Sequence, residues 1–297
     1  MNDVHRPVVS VILPVRDGAA TLATAIESIR RQTFADWELL VLEDGSTDAT
    51  EVIARSFEDA RIRVLVDGSR QGLARRLNQG IEQARGRYLA RMDADDVAFP
   101  ERFALQVACL DSQPEIDLLA TRVLLYRAGG EAVGPYPYRA THAEICSRPW
   151  NGFYFPHPTW MGRIEWFRRF RYRLPEVVWA EDQDLLLRAY ASSRFACLPQ
   201  VLLGYCVGPT RLAKLLGVRI NLAGAQFSVN LRAGRPGHAL LGAAVFLAKA
   251  VVDAARYFAG GRSAWRYRQD AVPAADAARW REVWGELQRP GAEREQR

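Results

Sequence analysis

The first 126 residues alternate two apolar periods, and that alternation limits the folds open to the chain. VVSVILP (8–14), WELLVLE (37–43), IRVLV (62–66), RYLARM (87–92) and IDLLATRVLLY (116–126) are short, nearly continuous apolar runs. Such runs suit strands covered on both faces. Between them apolar residues recur at helical spacing, as at Leu22, Ala25, Ile26 and Ile29, and again at Leu73, Leu77, Ile81 and Ala84. Ser46, Thr47 and Asp48 offer caps for a second helix, and Pro100 can open a helix carrying Phe103, Val107 and Leu110. Strand and helix taken in turn predict βαβ units and an α/β fold, with a mostly parallel, doubly wound sheet and helices on both faces.

In such a sheet ligands bind beyond the carboxyl ends of the strands. Three of the predicted strands end there in polar groups: Pro14 followed by Asp17; Glu43-Asp44-Gly45; and Asp93, Asp95 and Asp96 in RMDADDVAFPER. Three carboxylates within four positions repel one another, so a counter-charge or full solvation must relieve them. A D-x-D pair at a sheet edge suits Mg²⁺ or Mn²⁺, hard cations held by one or two carboxylates with phosphate oxygens completing the shell. A solvated acidic turn is the plain alternative. Asp44 can accept an N–H from a nucleobase, or serve an ordinary turn into a helix. Gly72, with Asn78 further on, marks a close backbone approach or a simple turn.

The rest of the chain is less regular. Residues 127–210 are rich in turns, prolines and aromatics, with EDQDLLLRAY (181–190) reading as a helix whose first turn is acidic. Arg188 stands four residues after Asp184, the spacing of a structural ion pair. FACLPQVLLGYCV (195–207) reads as a strand broken at Pro199. The four cysteines form no C-x-x-C pair, so neither a zinc site nor a disulfide framework is expected and a reducing compartment is the default. No long apolar run follows a basic start at the N-terminus, so no signal peptide is expected.

Charge is unevenly spread. Residues 1–210 hold 25 Arg and no Lys against 27 acidic residues, a net of −2; residues 211–297 hold 15 basic against 7 acidic, a net of +8. A basic, helical C-terminal segment points to an anionic surface or to a solvated face. The uncharged run at 239–248 stops at Lys249, short of the roughly 20 residues of a membrane span, and none is expected. Lys249, Asp253 and Arg256 make one polar stripe on an otherwise apolar helix, which can pack on the domain or lie in a membrane interface. Trp265, Trp280 and Trp284 suit either, and 290–297 reads as a disordered tail.

Five stretches taken together resemble the family 2 inverting glycosyltransferases of GT-A fold. They are V-S-V-I-L-P, Q-T-F-x-D-W-E-L-x-V, E-D-G-S-T-D, G-L-x-x-x-L-N-x-G-I and M-D-A-D-D. The resemblance runs from about Val8 to Tyr205. It implies a nucleotide-sugar donor, usually a UDP-sugar, bound with Mg²⁺ or Mn²⁺. Pro14, Val15, Asp17 and Asp44 would line the nucleoside pocket, with Asp44 on the base, and Gly72 would approach the nucleotide. Asp93 would sit near the ribose and the metal, and Asp95 would ligate the metal. Of the pair Glu181-Asp182, Asp182 would deprotonate the acceptor hydroxyl, with Glu181 and His157 on the acceptor side.

Glu43 stands where the family more often has Asp. The Q-x-x-R-W signature of processive members is absent after 210, which favours transfer of a single sugar. The reading divides the chain into a glycosyltransferase domain, 1–210, and a basic helical segment, 211–297. Within the domain, 1–126 is the donor half and 127–210 the acceptor half. It implies a cytoplasmic enzyme, peripheral on the inner face of the plasma membrane, acting on a glycan or lipid-linked glycan, with an anionic membrane surface as partner and no nucleic acid expected. Two alternatives accompany it. DADDV matches the first motif of haloacid-dehalogenase-like phosphatases, with Asp93 as nucleophile, but that fold begins near its motif and here more than ninety residues precede it. A non-catalytic nucleotide-sugar-binding module would have lost acids that are all present.

Overall fold

The computed structural model describes residues 6–175, 177–208, 211–259 and 271–289. Trp265 and the 290–297 tail lie outside them. Nine strands form one sheet: β1 (Val9–Val15), β2 (Trp37–Glu43), β3 (Ile62–Leu65), β4 (Tyr88–Arg91), β5 (Val97–Ala98), β6 (Leu118–Tyr126), β7 (Ala132–Pro135), β8 (Met161–Arg163) and β9 (Phe195–Cys206). Their order is β3-β2-β1-β4-β8-β6-β9-β5, with β7 paired to β6. The helices are α1 (Leu22–Arg30), α2 (Thr50–Arg55), α3 (Leu73–Gln83), α4 (Arg102–Ser112), α5 (His142–Ile145), α6 (Ile164–Arg169), α7 (Glu181–Ala189), α8 (Leu212–Arg232), α9 (Pro236–Phe258) and α10 (Ala274–Leu287).

All seven residues of β1 are buried, as are all seven of β2. Alternation sends their side chains to two opposite cores. Val9, Val11 and Leu13 join α1 and α4, through Leu22, Ile26, Phe103 and Val107. Ile12, Leu40 and Leu42 face α3, α6 and α7, through Leu77, Ile81, Phe167 and Leu186. Burial on both faces explains why these strands read as continuous apolar runs.

The sheet is more mixed than the sequence predicts. β1, β2, β3 and β4 are parallel, and β6 is parallel to β9. Three-residue β8 runs antiparallel between β4 and β6, and β5 and β7 are antiparallel to their neighbours. These pieces are too short to show a period. β8 depends on Gly162, where a Cβ would lie 2.5 Å from the Asp117 carbonyl oxygen. The expected break at Pro199 is a register irregularity between Thr121 and Val123 of β6, opposite β9, which continues through it.

The C-terminal helices pack on the rest of the fold in two places. α8 and α9 pack on each other, and the pair meets α7 and the 3₁₀ turn Pro149–Asn151. α10 covers Val97, Phe99, Leu124 and Tyr126 with Trp280 and Val283. The Trp280 ring lies 4.7 Å from that of Tyr126, and its Nε1 donates to the Gly130 carbonyl at 2.7 Å. With the side chain almost wholly buried, Trp280→Ala should cost about 3–5 kcal/mol, the range for a large aromatic cut to Ala in a core. A lower urea midpoint at unchanged slope would show it; an unchanged midpoint would mean that α10 does not stabilise the sheet.

Candidate active site

The register places three strand ends at one edge. Val15 pairs with Glu43, and Ile12 with Arg91, so the chain leaves β1, β2 and β4 side by side. A cavity of about 1410 Å³ opens there, lined by Pro14, Val15, Asp44, Gly72, Asp93, His157, Glu181 and Asp182, among others.

Asp44 is tied to the start of α3. Its Oδ1 accepts the N–H of Gln71 at 2.7 Å, that of Gly72 at 3.1 Å and Nε–H of Arg76 at 2.9 Å; Oδ2 accepts the Gly72 N–H at 3.1 Å. Gly72 sits at φ +93°, a backbone region that side chains rarely enter, which frees these amides to converge on one carboxylate. A carboxylate offers about four acceptor positions, so Oδ2 retains capacity toward the cavity while Oδ1 is spent. Arg76, fully buried, also bonds Asp67 at 2.7 and 2.8 Å. Those bonds and the Ser69 amide hold the Asp67 carboxyl below the ordinary carboxylate range.

Asp17 lies outside the cavity lining. Its Oδ1 accepts the Thr47 amide at 2.8 Å and its own amide donates to Ser46 Oγ at 3.0 Å, so it clamps the loop after β2 to the loop after β1. Asp95 is also off the lining and exposed. Partial enclosure of its carboxyl, then the Asp93 charge, raises its pKa to about 6.

The three acids of the D-x-D-D turn divide their work. Asp93 meets the buried Arg91 guanidinium, with Nη1 donating to Oδ2 at 2.6 Å and Nη2 paired to Oδ1. Burial alone would lower the Arg91 pKa, but the Asp93 carboxylate more than reverses that and the guanidinium stays charged. Asp96 is buried, and its Oδ1 accepts the Cys206 amide at 2.9 Å, fastening the turn to the end of β9. Burial and the neighbouring Asp93 and Asp95 charges push its pKa well up. Its Oδ2 is buried without a hydrogen-bond partner. One oxygen from each of Asp93, Asp95 and Asp96 lies within 4.8 Å of the others. Three carboxyls so close, with an unpartnered oxygen on Asp96, fit Mg²⁺ or Mn²⁺.

Across the cavity, α7 presents Glu181 and Asp182 in its first turn. Burial, then the Asp182 charge, raises Glu181 to about 8, so it holds its proton at neutral pH. Burial also raises Asp182, against the Gln183 side-chain bond at 3.2 Å. His157 is buried and neutral, its pKa driven far down by desolvation and by Arg91. Its 3.8 Å approach to Glu181 therefore joins two neutral groups and is no ion pair at neutral pH. Nε2 of His157 instead shares a 2.7 Å hydrogen bond with the Tyr172 hydroxyl. The Asn78 side chain holds the Tyr172 backbone by two bonds, at 2.9 and 3.0 Å, and so ties α3 to the segment that carries His157's partner. Asp184 is buried between Arg173 and Arg188, as its i, i+4 spacing predicts.

Arg76, Arg91 and Tyr172 did not emerge from the sequence, although the two arginines left a signal. Arg76 falls on the apolar face of α3 with Leu73 and Leu77, and Arg91 closes a strand that is otherwise buried. A charge at a core position needs a partner. The C-terminal helices also reach the site: Lys214, Arg219, Lys249 and Asp253 line the same cavity, beyond the boundary at 210. All four cysteines are free.

With this geometry established, the relatives of the chain are informative. Residues 10–171 match the family model described as Glycosyl transferase family 2, so the chain belongs to that family and is a glycosyltransferase of GT-A fold. It is 33% identical over 189 residues to the putative glycosyltransferase EpsE of Bacillus subtilis, covering 62% of this chain and 67% of EpsE. It is 34% identical over 102 residues to WfgD of Escherichia coli, a UDP-Glc:α-D-GlcNAc-diphosphoundecaprenol β-1,3-glucosyltransferase, covering 34% of this chain and 40% of WfgD. Among solved structures, the mannosyltransferase PcManGT of Pyrobaculum calidifontis, in complex with GDP-Man and Mn²⁺, aligns with a TM-score of 0.58 at 20% identity, over 96% of this chain and 88% of PcManGT. Membership in this family sets aside the phosphatase and non-catalytic alternatives.

The pairing of Asp44 with α3 predicts a structural cost apart from any role toward a donor. Asp44→Asn should destabilise the protein by about 2–3 kcal/mol, since it strips a buried arginine of its enclosed partner. Asp67→Asn, on the exposed side of the same arginine, should cost less. Urea denaturation of both variants checks the order, and equal losses would contradict it.

Proposed function

We propose that this glycosyltransferase moves a single sugar, with inversion, from a nucleotide-sugar donor, a UDP-sugar foremost, to a glycan or lipid-linked glycan. The observation that carries this reading is that acids from two parts of the chain line one cavity, Asp93 beyond β4 and Glu181 and Asp182 on α7, together with the buried Arg91, whose charge acts on all three, while Asp95 stands beside Asp93 just off the lining. Two acids apart let one side hold a departing diphosphate while the other activates an attacking hydroxyl. The reactions and ligands named for WfgD and PcManGT support the donor class, the lipid-linked acceptor and the metal.

The residues have separable tasks. Pro14, Val15 and Gly72 shape the nucleoside end of the cavity, and Asp44 offers Oδ2 to the base. Asp95 and Asp93 would hold Mg²⁺ or Mn²⁺, which when bound neutralises charge gathering on the diphosphate. Arg91 fixes the Asp93 carboxylate and supplies a permanent positive field beneath the site. Asp182 accepts the acceptor hydroxyl proton as the acceptor oxygen bonds the anomeric carbon and the bond to the diphosphate oxygen breaks on the opposite side. Glu181, neutral at pH 7, adds no second negative charge beside it, and His157 and Tyr172 hold that wall in place.

Asp182→Asn should lower transfer by about 10²–10⁴-fold, the usual contribution of a general base, and leave UDP binding with Mn²⁺ close to wild type. Because Glu181 is already protonated at pH 7, Glu181→Gln should keep most of the activity there. The base works only when ionised and its pKa is raised, so transfer should increase with pH through a value above the ordinary carboxylate range. Full activity of Asp182→Asn would place the base elsewhere. Asp95→Ala should abolish the Mn²⁺-dependent part of the thermal shift given by UDP, because only bound ligand stabilises the folded state; an unaltered Mn²⁺ dependence would remove Asp95 as a ligand.

A further inference from the structure

Outside the cavity, α9 carries a surface that sugar transfer does not use. Leu240, Leu247, Val251 and Phe258 are 64%, 51%, 71% and 78% exposed. They recur at helical spacing, with Ala244 and Ala255 exposed between them, along about 27 Å of helix. Ile220, Phe227 and Leu231 form a second exposed apolar stripe on α8. Two charged residues of α9, Lys249 and Asp253, point the other way. Asp253 is buried against Arg219 at 2.8 Å, and Lys249 donates to the Asn151 carbonyl at 2.9 Å. A surface helix ordinarily turns its polar face outward; this one is reversed.

The charges around the stripe select its occupant. Residues 211–259 contain seven Lys or Arg and one acidic residue, Asp253. Arg211, Lys214 and Arg256 are exposed at one end of the helix pair, and Arg232 and Arg235 at the turn that joins the helices. A second copy of the chain would set like charge against like. By length and composition α9 can cross a membrane, contrary to the ten-residue run read from the sequence. Its Lys249–Asp253 face, however, is committed to α8 and the cavity, which leaves one apolar side rather than an apolar circumference. An apolar stripe bracketed by Arg and Lys matches the boundary of an anionic bilayer.

We infer that α8 and α9 dock the protein on an anionic lipid bilayer, lying in its surface with the Leu240–Phe258 stripe among the lipids. Ala248 and Val252 are exposed and also line the cavity, so the stripe and the site share an edge. A docked protein opens its cavity at the lipid headgroups. Delivery of a lipid-carried acceptor there rests on the function proposed above; the docking does not.

Co-sedimentation of the full chain with vesicles tests this, comparing equimolar phosphatidylglycerol and phosphatidylcholine with phosphatidylcholine alone. The wild type should bind the anionic vesicles more tightly. Leu247→Glu with Val251→Glu should weaken that binding about tenfold or more, as expected for two apolar side chains lost from the lipid. The thermal shift with UDP and Mn²⁺ should stay unchanged. Arg211→Glu with Arg232→Glu should weaken binding to anionic vesicles alone, and decides the matter if the first variant fails to fold. No vesicle binding by the wild type, or wild-type binding by both variants, would overturn the inference. So would a wild-type dimer in light scattering that Leu247→Glu with Val251→Glu converts to monomer.

Discussion

The buried guanidinium of Arg91 is the interaction on which the site depends. Its charge acts on Asp93, Asp95, Asp96, Glu181 and Asp182, five carboxyls drawn from two separate parts of the chain. At Asp95, Asp96, Glu181 and Asp182 its charge opposes burial, which raises each carboxyl and would raise it further without the guanidinium. Arg91 is itself held by position. It ends β4, its amide donates to the Trp160 carbonyl at 2.9 Å, and its carbonyl accepts Arg102 Nη2 at 2.7 Å. A cation buried this way is tolerable only beside its anion, so the turn after β4 must place Asp93 there. The placement leaves Asp95 as the least constrained acid of the cluster.

A second constraint joins the two sides of the cavity. Asn78 on α3 fixes Tyr172, Tyr172 bonds His157, and His157 packs against Trp160 with ring centroids 4.5 Å apart, next to the start of β8. Residues of α3 and of the stretch from 157 to 172 are thereby referenced to one frame. The C-terminal helices complete it. Residues beyond 210 close a wall of the cavity, so stretches from the first half, the middle and the C-terminal part of the chain converge on one space.

Much of this was legible in local pattern. The β1, β2 and β4 runs end within a residue or so of where their apolar stretches stop. The parallel arrangement then brings Asp44, Pro14 and Asp93 to one edge without further information. Gly72 could be singled out because a helix starts behind it, and the Asp184–Arg188 pair because helical spacing places the two together. Asp17 shows where the pattern fell short. It reached the correct edge, yet its side chain turned to the 46–47 loop, because neighbouring amides offered it bonds that no sequence period encodes.

The sequence by itself determined the α/β fold, the edge at which chemistry gathers and the family to which the chain belongs, since each follows from short-range periods and turn residues. Tertiary structure alone decided what each charge faces. Arg76 and Arg91 found partners 32 and 2 residues away by entirely different routes. β8 exists only because β4 and β6 leave a slot for it. The Lys249–Asp253 stripe turned inward and left the apolar face of α9 in the open. Direction in space is set by long-range packing, and a charged residue reveals its role only once the groups able to balance it have been brought beside it.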